Sequence, residues 1–280
     1  MVLIAITGPS GEIDCIPNSD SPELGTTFDT RGKTMKKVLL ATTAMAMSAG
    51  VAYAEVSISG NARMGLQYNS VTGNTTIEKR MTVDINATTE SSSGITFGAK
   101  MRLRSEENLG LTGTNVVGAR VYLQTNGFEL AMGNIDGAIE SMPNLYSPSV
   151  GLTGLGWGGL VTNTMGAGYW GWDAYSSTGN GVEGVEAIYT AGGFTGHVSY
   201  SDGTVGGLSN SGTGIKRAAA YGAYTFNDWT VALGVQQSNI LGEDKVVLTV
   251  GGNIGDYGVG FGVADNDGTT KIALNGSATF

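Results

Sequence analysis

The chain has 280 residues and a formal net charge of −9, with 15 Lys and Arg against 24 Asp and Glu. That balance excludes a nucleic-acid binder presenting a basic outer surface. With 46 glycines and 5 prolines, it fits neither a collagen-like chain nor proline-rich disorder.

Residues 1–34 precede a better start at Met35 and read as a mis-assigned extension of the gene. From there Met35-Lys36-Lys37 supplies a basic start, Val38 to Met47 an apolar core, and Ala52-Tyr53-Ala54 an A-x-A site. These are the ordered parts of a secretory signal peptide over 35–54, with cleavage before Glu55. The one cysteine, Cys15, precedes the cut, so the mature chain has no disulfide, thiolate metal site or thiol chemistry. No mature segment is apolar for as long as a membrane-spanning helix requires. If the remaining domain, 55–280, lies in a membrane, only a closed barrel satisfies its backbone there.

Strand patterning fills that domain. Twelve segments are expected, at about 55–68, 79–89, 94–104, 116–125, 128–134, 184–190, 194–201, 215–226, 229–237, 245–254, 257–265 and 271–280. The third shows the rule best: Ile95, Phe97, Ala99, Met101 and Leu103 alternate with Thr96, Gly98, Lys100, Arg102 and Arg104. Repeated downstream of an export signal, this predicts apolar residues toward lipid and polar residues toward a watery lumen. Short links such as Asn126-Gly127, Gly192-Gly193 and Asn227-Asp228 are hairpin turns, and they alternate with longer connections including 69–78, 105–115 and 266–270. Tyr68, Tyr224, Phe226, Trp229, Tyr257 and Phe280 stand at strand ends, where a barrel carries its interfacial aromatics. The connection 135–183 is far longer than a hairpin needs and holds Trp157, Tyr169, Trp170 and Trp172, so it is expected to fold back into the lumen.

The segments S-G-N-A-R-M-G-L-Q-Y-N (59–69), T-T-E-S-S-S-G-I-T-F-G-A-K-M-R-L-R (88–104), L-A-M-G-N-I-D-G-A-I (130–139) and Y-T-F-N-D-W-T-V-A-L-G-V (224–235) resemble alphaproteobacterial general-diffusion porins. The resemblance implies an all-β, antiparallel up-and-down barrel in the bacterial outer membrane, usually trimeric, whose inward loop narrows the pore. Loop 135–183 occupies that loop's place. The family is similar to sixteen-stranded barrels against twelve strands here, which leaves open a shorter barrel or a truncated chain.

Parity sends Arg63, Arg80, Lys100, Arg102, Arg104 and Arg120 to the lumen and Lys79 to the outside. Asp136 and Glu140 open the inward loop, where the resemblance implies constriction acids. Cations on one wall facing acids on the loop would set a field across the narrowest water, favouring small hydrophilic solutes and ions. Such a pore needs no cofactor. Calcium could bridge Asp136 and Glu140, though no ligand spacing marks a site, and Asp265-Asn266-Asp267-Gly268 reads as a hairpin turn. The lone His197 has no nucleophile motif beside it and reads as a solvated lumen residue rather than a barrel enzyme's base. The rival that stays open is a secreted soluble β-protein, such as an adhesin, with its alternating face buried between sheets.

Overall fold

A computed structural model describes residues 54–106, 114–146, 159–162, 170–177, 183–202 and 214–278. The expected signal peptide up to residue 53, Trp157, Tyr169 and Phe280 lie outside them. Alternation writes the described chain into thirteen strand segments: β1 (Ala54–Asn69), β2 (Asn74–Glu90), β3 (Thr96–Glu106), β4 (Thr114–Val116), β5 (Arg120–Thr125), β6 (Phe128–Asn134), β7 (Glu183–Ala191), β8 (Phe194–Asp202), β9 (Lys216–Phe226), β10 (Trp229–Ser238), β11 (Lys245–Ile254), β12 (Tyr257–Asn266) and β13 (Thr269–Ala278). Twelve form one antiparallel up-and-down sheet in chain order, with the short β4 paired to β3. Among the described residues β1 and β13 do not pair with each other. In a bilayer the free amides and carbonyls of such edges must find strand partners.

Two expectations are corrected. The first hairpin is longer than its apolar pattern indicates: β1 and β2 pair from Ala54↔Thr89 up to Asn69↔Asn74, so the expected loop 69–78 shrinks to 70–73. The hydroxyls of Thr75 and Thr76 hid this extension, since threonine suits a strand without being apolar. The expected fourth strand is broken into β4 and β5. Residues 117–119 stand opposite only Met101 and Arg102, because the register passes from Leu103↔Val116 to Lys100↔Arg120. This is a one-residue bulge. It lets Val117 and Arg120 both face inward while Val116 and Val121 face out.

The outer face is greasy throughout. Ile58, Met64, Leu66, Met81, Phe97, Val121, Val198, Leu233, Val246, Phe261 and Ile272 are all exposed. Tyr68, Tyr224, Phe226 and Tyr257 lie on that face near strand ends, as interfacial aromatics do. The shortest links cluster at one end of the sheet: 126–127, 192–193, 227–228 and 255–256. Asn126, Gly127, Asn227 and Gly192 take the positive φ such turns demand. At the other end, 267–268 is also a two-residue turn, closed by the Gly268 N–H donating to Asp265 at 2.7 Å.

The buried core lies on the inner face, between the sheet and the long loop. Ala138, Ile139, Met142, Leu145, Leu160, Val161 and Trp172 of the loop pack on Ala219, Tyr221, Ala223, Ala232, Val247 and Ala264 of β9–β12. Each of the larger loop side chains, fully withdrawn from lumen water, contributes roughly 1.5–3 kcal/mol to seating the loop. Small inward residues make the room. At Gly234 even a methyl group would stand 2.3 Å from the Met142 sulfur. One stretch of wall is therefore a seat for the loop, and the stretch formed by β1–β3 is left facing water.

Candidate pore constriction

The inward faces of β1, β2 and β3 carry Arg63, Arg80, Lys100, Arg102 and Arg104, brought side by side by strand register. Lumen water alone does not surround them, because carboxylates are interleaved. Glu106 receives Arg80 Nε at 2.8 Å, Arg104 Nη2 at 2.7 Å and Arg63 Nη2 at 3.3 Å. Glu78 adds a second contact to Arg63 at 3.1 Å. Arg102 makes a two-pronged bond to Asp84, at 2.7 and 3.0 Å, and donates to Ser177 of the loop at 3.0 Å. Along these three strands four of the five cations, all but Lys100, meet three carboxylates, Glu78, Asp84 and Glu106. These eight groups alone carry an excess of two positive charges.

Arg120 belongs elsewhere. It is buried, with Nε 2.7 Å from Glu186, Nη2 2.5 Å from Glu129 and a contact of 3.2 Å to Asp136. Asp136 reaches back to Lys100 at 3.9 Å, so this loop acid does meet the basic wall. Burial raises its pKa, opposed by the Arg120 and Lys100 charges. Glu140 does not face that wall. Its carboxylate accepts the Trp172 Nε1–H at 2.7 Å and the Tyr146 hydroxyl, inside the contact between loop and sheet. Burial raises its pKa too, with both hydrogen bonds opposing.

His197 is corrected from a solvated lumen residue to a buried one, 1% exposed, with Nε2 3.0 Å from Glu186 and its ring edge toward Tyr221. The alternation of β8 does send it inward, but the loop covers that part of the wall.

Sequence reasoning also passed over the second clamp. Arg217 of β9 forks onto Glu243 at 2.7 and 2.8 Å and onto Asp173 of the loop at 3.1 Å. Gln236 donates to the Gly171 carbonyl at 2.7 Å, Thr249 to that of Pro143 at 2.7 Å, and Asn266 to that of Leu160 at 3.0 Å. Lys271 binds the hydroxyl of Thr162 at 2.7 Å. Each of these wall residues has inward parity, which is the signal that could have found them. On this side Glu129, Asp136, Glu140, Asp173, Glu186 and Glu243 face Arg120, Arg217, Lys245 and Lys271, six carboxylates against four cations. Among the described residues these paired charges are thus almost neutral in sum but polarised, positive on β1–β3 and negative along the loop and its seat.

Tyr175 sits between the two. Its ring lies 4.3 Å from Lys100 Nζ and 5.3 Å from the Arg102 guanidinium carbon, and burial pushes its hydroxyl pKa up to about 12. Among the described residues no three His, Cys, Asp or Glu side chains are grouped to hold a metal ion.

A family model for Gram-negative porins matches residues 41–279. The chain belongs to the Gram-negative porin family. Porins of this family are outer-membrane β-barrels, and the greasy outer face fits that setting. A porin of Fuscovulum blasticum is 30% identical over 154 residues, covering 53% of this chain and 52% of the relative. A porin of Rhodobacter capsulatus is 33% identical over 187 residues, covering 65% and 56%. The chain thus spans about half the length of the curated relatives it matches. A solved triple mutant of Rhodopseudomonas blastica porin is similar in structure, with a TM-score of 0.52 and 25% identity, covering 81% of this chain and 90% of that one.

Proposed function

We propose that this porin-family chain lines a water-filled pore through which small hydrophilic solutes and ions diffuse passively across the outer membrane. The observation that carries this reading is the segregation of the sheet's two faces. Apolar side chains point out over all twelve strands, and paired charges with an inward loop fill the inner face. A field across the narrow water orients dipolar solutes and makes passage of apolar ones costly. Because the two halves nearly cancel in charge, the pore should show weak ion selectivity while still ordering zwitterions. Arg63, Arg80, Lys100, Arg102 and Arg104 supply the positive side and Asp136 the facing negative charge, whereas Arg120 and Glu140 hold the loop in place. Residues 35–54 act as the export signal and 55–280 as the barrel domain. Assembly as a homotrimer follows the family resemblance.

Reconstitution of the mature protein into planar bilayers tests this reading. Step-like conductance increments with a reversal potential near zero in a salt gradient are expected. A folded, heat-modifiable sample that inserts and gives no steps refutes it.

A further inference from the structure

We propose that Glu186 is the positioning residue of the pore: it fixes the root of the inward loop and, through it, the place of the Asp136 carboxylate. This deepens the pore reading and rests on it. Glu186 projects inward from β7 and is 1% exposed. Its Oε1 receives Arg120 Nε at 2.7 Å and Nη2 at 2.6 Å together with the Asp136 N–H at 3.2 Å. Its Oε2 receives the Gly137 N–H at 3.0 Å and His197 Nε2 at 3.0 Å. Five donors therefore converge on two oxygens, which offer about four lone-pair sites. The carboxylate is saturated.

Among the described residues Glu186 is the acceptor that both loop amides use. They are the second and third backbone N–H groups beyond the end of β6 at Asn134, and buried amides need partners. The next one, of Ala138, goes to the Ser199 hydroxyl on the adjacent strand at 2.9 Å. The second ring nitrogen of His197, Nδ1, is buried with no hydrogen-bond partner among the described residues. Its single polar tie is therefore to Glu186, which assigns the ring proton to Nε2. Lys100 and Arg120 then meet the Asp136 side chain from the wall at 3.9 and 3.2 Å. The backbone of residue 136 is tied to Glu186 while its carboxylate points to the cations, so moving the first displaces the second.

The substitution Glu186→Gln keeps the shape but replaces one acceptor oxygen with an NH2 donor facing donors. At least one loop amide must then leave. The apolar cluster and the Arg217 clamp lie farther along the loop and keep it within the lumen. The change is thus a local shift of the root rather than loss of the loop.

The experiment is a cycle read by reversal potentials of reconstituted full-length mature protein in a KCl gradient. Asp136→Asn is measured in the wild-type background and in the Glu186→Gln background. In wild type it should shift selectivity toward anions. In Glu186→Gln that shift should fall at least about twofold, because coupled residues are non-additive. An equal shift in both backgrounds, or no shift in wild type, overturns the proposal. A purely structural role would alter insertion yield or heat modifiability without changing the size of the Asp136 effect. Should Glu186→Gln yield no barrel, Ser199→Ala and His197→Gln carry the same cycle: a smaller reduction supports the proposal, and an unchanged shift overturns it. If the wild type gives steps and the cycle is additive, only this inference fails; if the wild type gives none, the pore reading fails with it.

Discussion

Replacing Gly137 by Ala probes the seating of the loop at its tightest point. Gly137 has φ +76°, and a Cβ there would stand 2.2 Å from the carbonyl oxygen of Asp173 and 2.7 Å from its carbonyl carbon. The left-handed backbone costs an alanine about 1–2 kcal/mol. Forcing a methyl into an occupied space costs about 1–3 kcal/mol more. The opposing carbonyl is poorly able to yield, because the Asp173 side chain is held by Arg217 at 3.1 Å and Arg217 is itself forked onto Glu243. Gly192 supplies the control: it has φ +58° with nothing within 4 Å of the added Cβ. Gly192→Ala bears the backbone term alone, so the difference between the two variants isolates the contact between the two halves of the loop. Gly137→Ala should part residues 136–138 from 171–174, giving noisier steps, a changed unit conductance and a lower heat-modification midpoint than Gly192→Ala. If the two variants match in conductance, noise and midpoint, the loop halves do not lock each other and the reasoning is wrong.

Arg120→Ala should destabilise the barrel by about 3–5 kcal/mol, since it strands Glu129, Asp136 and Glu186 without their shared cation. Arg102→Ala should cost less than about 1 kcal/mol, because its side chain is 23% exposed and Asp84 can take up lumen water. It should instead move the reversal potential toward cation selectivity; thermal midpoints in the opposite order would contradict the assignment of Arg120 to the loop's latch. For Glu140 the pKa is raised by burial, so the folded state holds its proton more tightly than the unfolded chain and ionisation disfavours folding. Glu140→Gln should therefore be more stable than wild type at neutral pH. That advantage should shrink as pH falls through the raised carboxylate range; a gap that widens on acidification would show that the hydrogen bonds from Tyr146 and Trp172 outweigh burial.

The fold was legible because period-2 alternation runs along the sheet: Phe97 is exposed on the outer face, and Lys100, Arg102 and Arg104 find their acidic partners on the inner one, as the pattern indicates. The bulge at 117–119 was not legible, since a single extra residue leaves the local alternation of Ala119, Val121 and Leu123 untouched. The cluster of inward arginines was visible in the sequence, but the carboxylates that offset them carry no such signal. Glu106, Asp84 and Glu186 are ordinary inward acids until strand register places them beside a cation. Sequence position at the loop's start does not reveal which way the Glu140 side chain turns. Trp172 and Tyr146 decide that, and they come from later in the loop. The seat itself was hidden in plain residues. Ala219, Ala223, Ala232, Gly234 and Ala264 look like weak strand formers, and only the loop lying on them explains their size.

The central claim is the inside-out arrangement of the sheet, and cysteine scanning along β3 tests it most directly. Single cysteines at 99 to 104 are introduced into the protein from residue 55 onward, where no other cysteine occurs, and treated, in bilayers, with a charged water-soluble thiol reagent. Modification and a fall in unit conductance are expected at Lys100, Arg102 and Arg104, with Ala99, Met101 and Leu103 protected and labelled only by a lipid-confined reagent. Equal aqueous labelling at both sets, or labelling of the apolar set alone, would contradict the account.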